Sequence, residues 1–218
     1  MSAPYRILTA VIAIVMMWGC SSEDPSESVT LYDIVVFDGN VDGSACFSFR
    51  KNGDSPLIEL VAPGRVLESE SVNTGDRILI AYIPVSGEAY RSGDIDLKSV
   101  ALINSDRLRE GDVAGWDATP VYVQSIWRSG VYINLECKLD YADAKRSFYL
   151  VLDRSTAGNP VPELYIVHDM GELPPNFARR IYASWDISDV WDSPDCRGVK
   201  VYVNDSNRDI GSVTFMKP

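Results

Sequence analysis

The 218-residue sequence has little of several things that catalysis and nucleic-acid binding require. It contains a single histidine, no two cysteines spaced as a metal-binding or redox pair, and no glycine-rich phosphate loop. Lys and Arg number 20 against 31 Asp and Glu, a net charge of -11, so the basic surface that nucleic-acid binding needs is missing. Hydrophobic residues make up 46% and charged residues 23%, which is typical of a globular protein.

No hydrophobic run is long enough for a permanent membrane span. The apolar segment Ile7–Trp18 follows Arg6 and, as a helix, would cover about 18 Å of a bilayer core about 30 Å thick. Gly19 and Cys20 follow it, an order that resembles a bacterial lipoprotein signal. The resemblance implies that residues 1–19 are removed and that Cys20 is the lipid attachment site. Ordinary signal cleavage and an uncleaved anchor are the alternatives.

Residues 20–28 are polar and acidic, and they predict a flexible tether. The acidic pair Glu23-Asp24 resembles the surface-export signal of Bacteroidetes lipoproteins. We therefore expect a lipid-anchored protein in the outer membrane, exposed at the cell surface, with a periplasm-facing position as the second choice. An acidic linker without an export role is the alternative.

The remaining sequence predicts strands, because apolar residues recur with a period of two. In Val131–Asp140 the odd positions are apolar and the even positions are polar or tyrosine, as in a half-buried strand. The predicted strands are Thr30–Phe37, Ala45–Arg50, Leu57–Val61, Arg77–Pro84, Ile95–Ile103, Val121–Arg128, Val131–Leu139, Ser147–Leu152, Glu163–His168, Ile181–Ile187, Val199–Val203 and Ser212–Met216.

The segment Asn104–Pro120 has little periodicity, and we place a domain boundary there. The sequence predicts an all-β protein with a small barrel of the oligonucleotide/oligosaccharide-binding (OB) type at 29–104 and a linker at 105–119. An immunoglobulin-like β-sandwich is predicted at 120–218.

Several segments resemble the NigD-like lipoproteins of Bacteroidetes. They are Gly75–Tyr82 with Ile95–Val100, Pro120–Val123 with Ile126-Trp127, Tyr132–Leu135, and Trp185–Ser188. The resemblance implies an OB-like barrel followed by a β-sandwich, in agreement with the strand count. It brings no established catalytic residues.

Metal and cofactor sites are not expected. Asp38–Gly43 matches half of a calcium loop, but Phe49 stands where the bidentate glutamate should be, so a hairpin turn is favoured. Asp186, Asp189, Asp192 and Asp195 are interpreted as a solvated acidic loop. His168 is interpreted as structural, because its neighbour Asp169 points to the opposite face of the strand.

The cysteines and tyrosines supply the remaining candidate residues. Cys137 and Cys196 either form a disulfide between the two sheets or remain separate buried thiols. A binding face is also predicted from tyrosines out of phase with the apolar positions, with cross-strand packing as the alternative. These tyrosines are Tyr122, Tyr132, Tyr182 and Tyr202.

The sequence favours a non-enzymatic cell-envelope lipoprotein that binds a protein or a glycan. The alternative is a bacteriocin-associated immunity lipoprotein, which only the family resemblance suggests. A hydrolase using an unrecognised pair of carboxylates is the third interpretation.

Overall fold

The computed structural model describes residues 29–68, 72–113, 116, 119–141, 147–169 and 177–218. The expected signal peptide at 1–19, lipid attachment at Cys20 and tether at 20–28 lie outside these residues. Among the described residues, none of the helices is both long enough and apolar enough to cross a membrane.

Five strands form a closed barrel in the first half of the chain, in the order β1-β2-β3-β5-β4. They are β1 (Leu31–Val41), β2 (Ser44–Arg50), β3 (Leu57–Ala62), β4 (Arg77–Pro84) and β5 (Gly93–Leu102). Alternate residues such as Val35, Phe47 and Ile78 fill the interior of the barrel. Burial of these apolar side chains is the main force that holds the barrel together.

The turn between β1 and β2 is the hairpin that the sequence favoured over a calcium loop. Val41 pairs with Ser44, and Asp42 and Gly43 between them have φ angles of 48° and 75°. Positive φ at both central residues defines a type I′ turn, which matches the twist of the flanking strands.

Among the described residues of the second half, nine strands form a two-sheet sandwich. One sheet has the order β14-β13-β11-β10-β7 and the other the order β6-β12-β9-β8. The strands are β6 (Asn104–Arg107), β7 (Arg109–Gly111), β8 (Tyr122–Ser129), β9 (Tyr132–Tyr141), β10 (Ser147–Asp153), β11 (Glu163–Asp169), β12 (Phe177–Asp186), β13 (Gly198–Tyr202) and β14 (Ser212–Met216). A single helical turn, α1 (Ser188–Trp191), follows β12, and its Trp191 joins a core that includes Trp185 and Leu135.

The structure confirms an all-β protein with a barrel followed by a sandwich, and each predicted strand is present. It differs in the segment predicted as a linker, where β6 and β7 lie. Both are short edge strands that pair in parallel, β6 with β12 and β7 with β10. Neither strand has alternating apolar residues, so the period-two pattern did not predict them. Hydrogen bonds to the neighbouring strand hold them in place.

The barrel and the sandwich contact each other through the turn after β2 and the turn between β8 and β9. In the turn after β2, Gly53 donates a backbone hydrogen bond to Arg128 O (2.7 Å) and accepts one from Gly130 N (2.8 Å). The hydroxyl of Ser129 donates to Arg50 O at 2.6 Å. Arg128, 5% exposed, donates two hydrogen bonds to the carboxylate of Asp54, at 2.8 and 2.6 Å. We refer to this contact between residues 50–54 and 128–130 as the turn junction.

A second contact, the Arg77 plug, lies between β4 and the outer face of the four-stranded sheet. Arg77 donates from Nε to Ser184 Oγ and from Nη2 to Asn134 Oδ1, each at 3.0 Å. Its guanidinium also lies 4.2 Å from the centre of the Tyr132 ring. Burial lowers the pKa of Arg77 to about 10, so the group remains charged at neutral pH.

Candidate functional site

Beside the Arg77 plug, the barrel and the four-stranded sheet enclose a cleft of about 400 Å³. The barrel wall comes from β1, β2 with its following turn, and β4; the sheet wall comes from β8, β9 and β12. The lining residues are Tyr32, Asp33, Ile34, Phe49, Arg50, Lys51, Asn52, Leu79, Ser125, Trp127, Glu136 and Tyr182. Aromatic rings and polar groups therefore alternate around a pocket in the size range of small-molecule sites.

Strand pairing explains why the sheet wall carries these side chains. Glu136 on β9 pairs with Ser125 on β8 and with Tyr182 on β12. Directly paired residues share a face of the sheet, so the three side chains form one row across it. The next row consists of Trp127, Asn134 and Ser184. The Arg77 plug contacts Asn134 and Ser184 in the second row, whereas the cleft opens over the first row and over Trp127.

A buried carboxylate marks the barrel side of the cleft. Asp33 is 8% exposed and accepts hydrogen bonds from Tyr82 Oη (3.0 Å) and Lys51 Nζ (3.5 Å). Burial raises the pKa of Asp33, and the charge of Lys51 and the Tyr82 hydrogen bond partly oppose that shift. Lys51 also lies 3.6 Å from the centre of the Tyr90 ring. These contacts hold Asp33 in one orientation at the wall of the cleft.

A second carboxylate lies on the sheet side. Glu136 accepts a hydrogen bond from Tyr182 Oη at 3.4 Å, and Arg180 Nε lies 3.5 Å from the same oxygen. Each carboxylate of the cleft therefore has a nearby cation, Lys51 for Asp33 and Arg180 for Glu136. The two walls present hydrogen-bonding groups without a large excess of either charge.

One buried donor next to the cleft lacks a partner. Asn134 is fully buried, and its Nδ2 has no hydrogen-bond partner among the described residues. Its Oδ1 accepts from Arg77 and from Ser184 Oγ (2.8 Å), which turns the carbonyl toward β12. On the other side of Asn134, the paired residue on β8 is Trp127. A buried donor without a partner costs free energy, and such groups often mark a site that another molecule completes.

The four tyrosines predicted as a binding face do not all lie on one sheet: Tyr122, Tyr132 and Tyr182 are on the four-stranded sheet. Tyr202 lies on the other sheet, where its ring stacks on Tyr165 at 4.6 Å. Tyr132 lies under Arg77, whereas Tyr122 is 42% exposed and outside the cleft lining. Tyr182 alone lines the cleft. The sequence pattern identified the outward face correctly, but it could not show that the barrel covers part of that face.

The remaining predicted residues lie away from the cleft. Cys137 and Cys196 are buried in the sandwich core as free thiols, so the structure has the second of the two alternatives that the sequence left open. Burial raises the pKa of Cys137 to about 12. His168 is buried, with Nδ1 3.2 Å from Thr119 O. Among the described residues, no group of three His, Cys, Asp or Glu side chains is arranged to hold a metal ion.

Sequence reasoning missed most of the cleft residues, although one signal was present. Asp33 stands in the inward phase of β1 between Leu31 and Val35, where alternation calls for an apolar residue. A buried carboxylate is unfavourable unless it has hydrogen-bond or ion-pair partners, so its presence in the sequence could have marked a candidate functional site. Glu136 gave no such signal because it lies in the polar phase of β9. Trp127 gave none because a bulge between Val123 and Ser125, which alternation does not predict, moves it to the outward face.

Comparison with known proteins shows similarity in structure. No protein-family model and no curated protein sequence matches the chain. A Bacteroides vulgatus protein of unknown function, DUF1344, has 16% identity and a TM-score of 0.67 over 87% of this chain and 92% of its own. A NigD-like immunity protein from Bacteroides caccae has 17% identity and a TM-score of 0.57 over 85% and 91%.

A third structure extends this set. A candidate lipoprotein from Bacteroides fragilis has 14% identity and a TM-score of 0.54, covering 87% of this chain and 96% of its own. All three matches cover both the barrel and the sandwich. The comparisons confirm the resemblance to NigD-like proteins at the level of the fold, so the chain has the barrel-and-sandwich architecture of this group of Bacteroides proteins.

Proposed function

We propose that this protein is a non-enzymatic lipoprotein of the outer membrane that binds a protein or glycan ligand at the cell surface. The observation that carries the proposal is the cleft between barrel and sandwich, where aromatic rings and hydrogen-bonding groups from both halves meet. Ligand sites are commonly concave and lie where two domains meet. The lipoprotein-like signal ending at Cys20 and the candidate lipoprotein among the similar structures support the cellular location.

The anchor is tested by replacing the acceptor cysteine. Cys20→Ala should leave the protein unprocessed or soluble, because stable membrane attachment by lipidation requires acyl chains on this residue. Fractionation of cells expressing each form measures the result. A mature-sized Cys20→Ala protein that remains with the membranes would contradict lipid anchoring.

Protease treatment of intact cells separates surface exposure from a periplasmic position, because only a surface protein is degraded.

The cleft is tested with a photo-crosslinking amino acid in living cells. Tyr32, 62% exposed at the cleft, is one position, and Tyr122, exposed on the same molecule outside the cleft, is the matched control. Crosslinked products should form from position 32 and be absent or weaker from position 122. Identical products from both positions would contradict the cleft as the binding site.

A second candidate function is bacteriocin-associated self-protection. The specific observation in its favour is the shared fold with a protein described as a NigD-like immunity protein. Deletion of the gene from its host tests this function. A mutant that becomes sensitive to a bacteriocin of the same strain supports it, whereas unchanged resistance contradicts it.

A further inference from the structure

We infer that the cleft binds a neutral oligosaccharide, with the ring of Trp127 stacking on a sugar and Glu136 accepting hydrogen bonds from its hydroxyl groups. This inference rests on the proposed ligand-binding function and names the chemical class of the ligand. It depends on the aromatic surface of the cleft, on its charge pairing and on an unpartnered buried donor in the row of side chains next to it.

The aromatic surface provides the stacking contact. Trp127 is partly exposed on the sheet wall, and Tyr182 lies in the adjacent row of the same face. The C–H groups on one face of a sugar ring pack against a flat aromatic ring, and tryptophan gives the largest such surface. Tyr32 contributes a further exposed ring on the barrel side.

The charge pairing favours a ligand without charge. Asp33 forms an ion pair with Lys51, and Glu136 forms one with Arg180. The negative charge of each carboxylate is therefore balanced by a neighbouring cation. A sugar hydroxyl can donate to either carboxylate without disturbing these pairs, since an ionised carboxylate has about four acceptor positions. The third cation at the cleft, Arg50, donates a hydrogen bond to the backbone carbonyl of Ser55. A sulfated or uronic-acid chain would add negative charge to a protein of net charge -11 and would compete with Asp33 and Glu136 for Lys51 and Arg180.

The unpartnered donor points to an acceptor atom supplied by the ligand. Asn134 Nδ2 has no hydrogen-bond partner among the described residues, and Asn134 pairs directly with Trp127, which lines the cleft. Hydroxyl and ring oxygens of a sugar are acceptors of the kind this amide lacks. Stacking on an aromatic ring together with hydrogen bonds to carboxylate and amide groups matches the alternating apolar and polar faces of a sugar.

Glycan binding by the full-length protein in detergent, measured by titration calorimetry, tests the inference. The probes are the neutral hexasaccharides of glucose, mannose and xylose, with hexagalacturonate and a chondroitin sulfate hexasaccharide as charged comparisons. At least one neutral probe should bind, and the charged probes should bind at least tenfold more weakly. Binding of the charged probes alone, or of none of the five, would overturn the inference.

Variants of one strand locate the site. Trp127→Ala should lower affinity for the neutral probe at least tenfold, and Trp127→Phe should keep it within about threefold because a flat ring remains. Tyr122→Ala, on the same strand but outside the cleft, is the matched control and should bind like the unaltered protein. Equal losses in Trp127→Ala and Tyr122→Ala, with unchanged melting temperatures, would place the glycan elsewhere and overturn the inference.

The two proposals fail in distinguishable ways. If no hexasaccharide binds while crosslinked products still form specifically at position 32, the ligand is not a neutral glycan but the cleft remains a binding site. If neither result appears, both proposals are wrong. Recovery of the bound probe uncleaved after prolonged incubation also checks the non-enzymatic assignment.

Discussion

At the scale of single residues, Asp33 determines a pH response of stability. Burial raises the pKa of its carboxyl above the ordinary value of about 3.9, so the folded protein holds this proton more tightly than the unfolded chain. The contribution of Asp33 to the free energy of unfolding is therefore largest below about pH 4 and falls as the pH rises through the raised folded pKa. Asp33→Asn, which cannot ionise, should remove this fall.

Urea unfolding of both proteins between pH 4 and pH 7 measures the effect. The free energy of unfolding of Asp33→Asn, relative to that of the unaltered protein, should increase with pH until Asp33 of the folded unaltered protein is ionised. A difference that does not change with pH would contradict the assignment of the raised pKa to Asp33.

Tyr82 supplies the second residue-scale prediction. Its hydroxyl donates to Asp33 at 3.0 Å, and Tyr82 itself is only 1% exposed. Tyr82→Phe should lower the free energy of unfolding by about 1.5–3 kcal/mol when Asp33 is ionised, the typical value for a hydrogen bond to a charged group. The loss should shrink toward pH 4, where Asp33 becomes protonated. A loss that is the same at pH 4 and pH 7 would argue against a charge-dependent bond.

At the scale of elements, the pairing of β13 with β14 depends on Gly198. A Cβ at this position would lie 2.5 Å from the carbonyl oxygen of Phe215 and 2.9 Å from Met216 Sδ. Gly198→Ala should therefore separate the two strands and lower the free energy of unfolding by about 1–3 kcal/mol, the usual range for overpacking. Gly158 has open space around it, so Gly158→Ala is the matched control and should stay within about 0.5 kcal/mol. Thermal unfolding of both variants measures the difference.

Strands β9, β6 and β7 show which features of the fold the sequence pattern can predict. The alternation that predicts β9 as a strand also assigns Asn134 and Glu136 to its outward face, and the structure agrees with that division. The pattern cannot show what covers the outward face, because burial by a distant segment such as the barrel depends on long-range packing. For the same reason β6 and β7 were not predicted, since hydrogen bonds to β12 and β10 define them rather than their own side chains.

At the scale of the whole molecule, the turn junction should couple the stability of the barrel to that of the sandwich. Asp54→Ala would leave the buried guanidinium of Arg128 without its carboxylate partner, and we expect a loss of about 2–3 kcal/mol. The exposed pair Arg154–Glu110 is the matched control, and Glu110→Ala should cost less than about 1 kcal/mol. Chemical denaturation measures both losses. Equal losses in the two variants would show that the turn junction adds nothing beyond a surface ion pair.

The Arg77 plug and the turn junction have a further consequence for the whole molecule. Both contacts lie next to the cleft, and both attach the barrel to the four-stranded sheet. The barrel wall and the sheet wall of the cleft are therefore held together at two points. Two separate attachment points prevent the barrel from rotating about either one, so the distance between the two walls stays fixed.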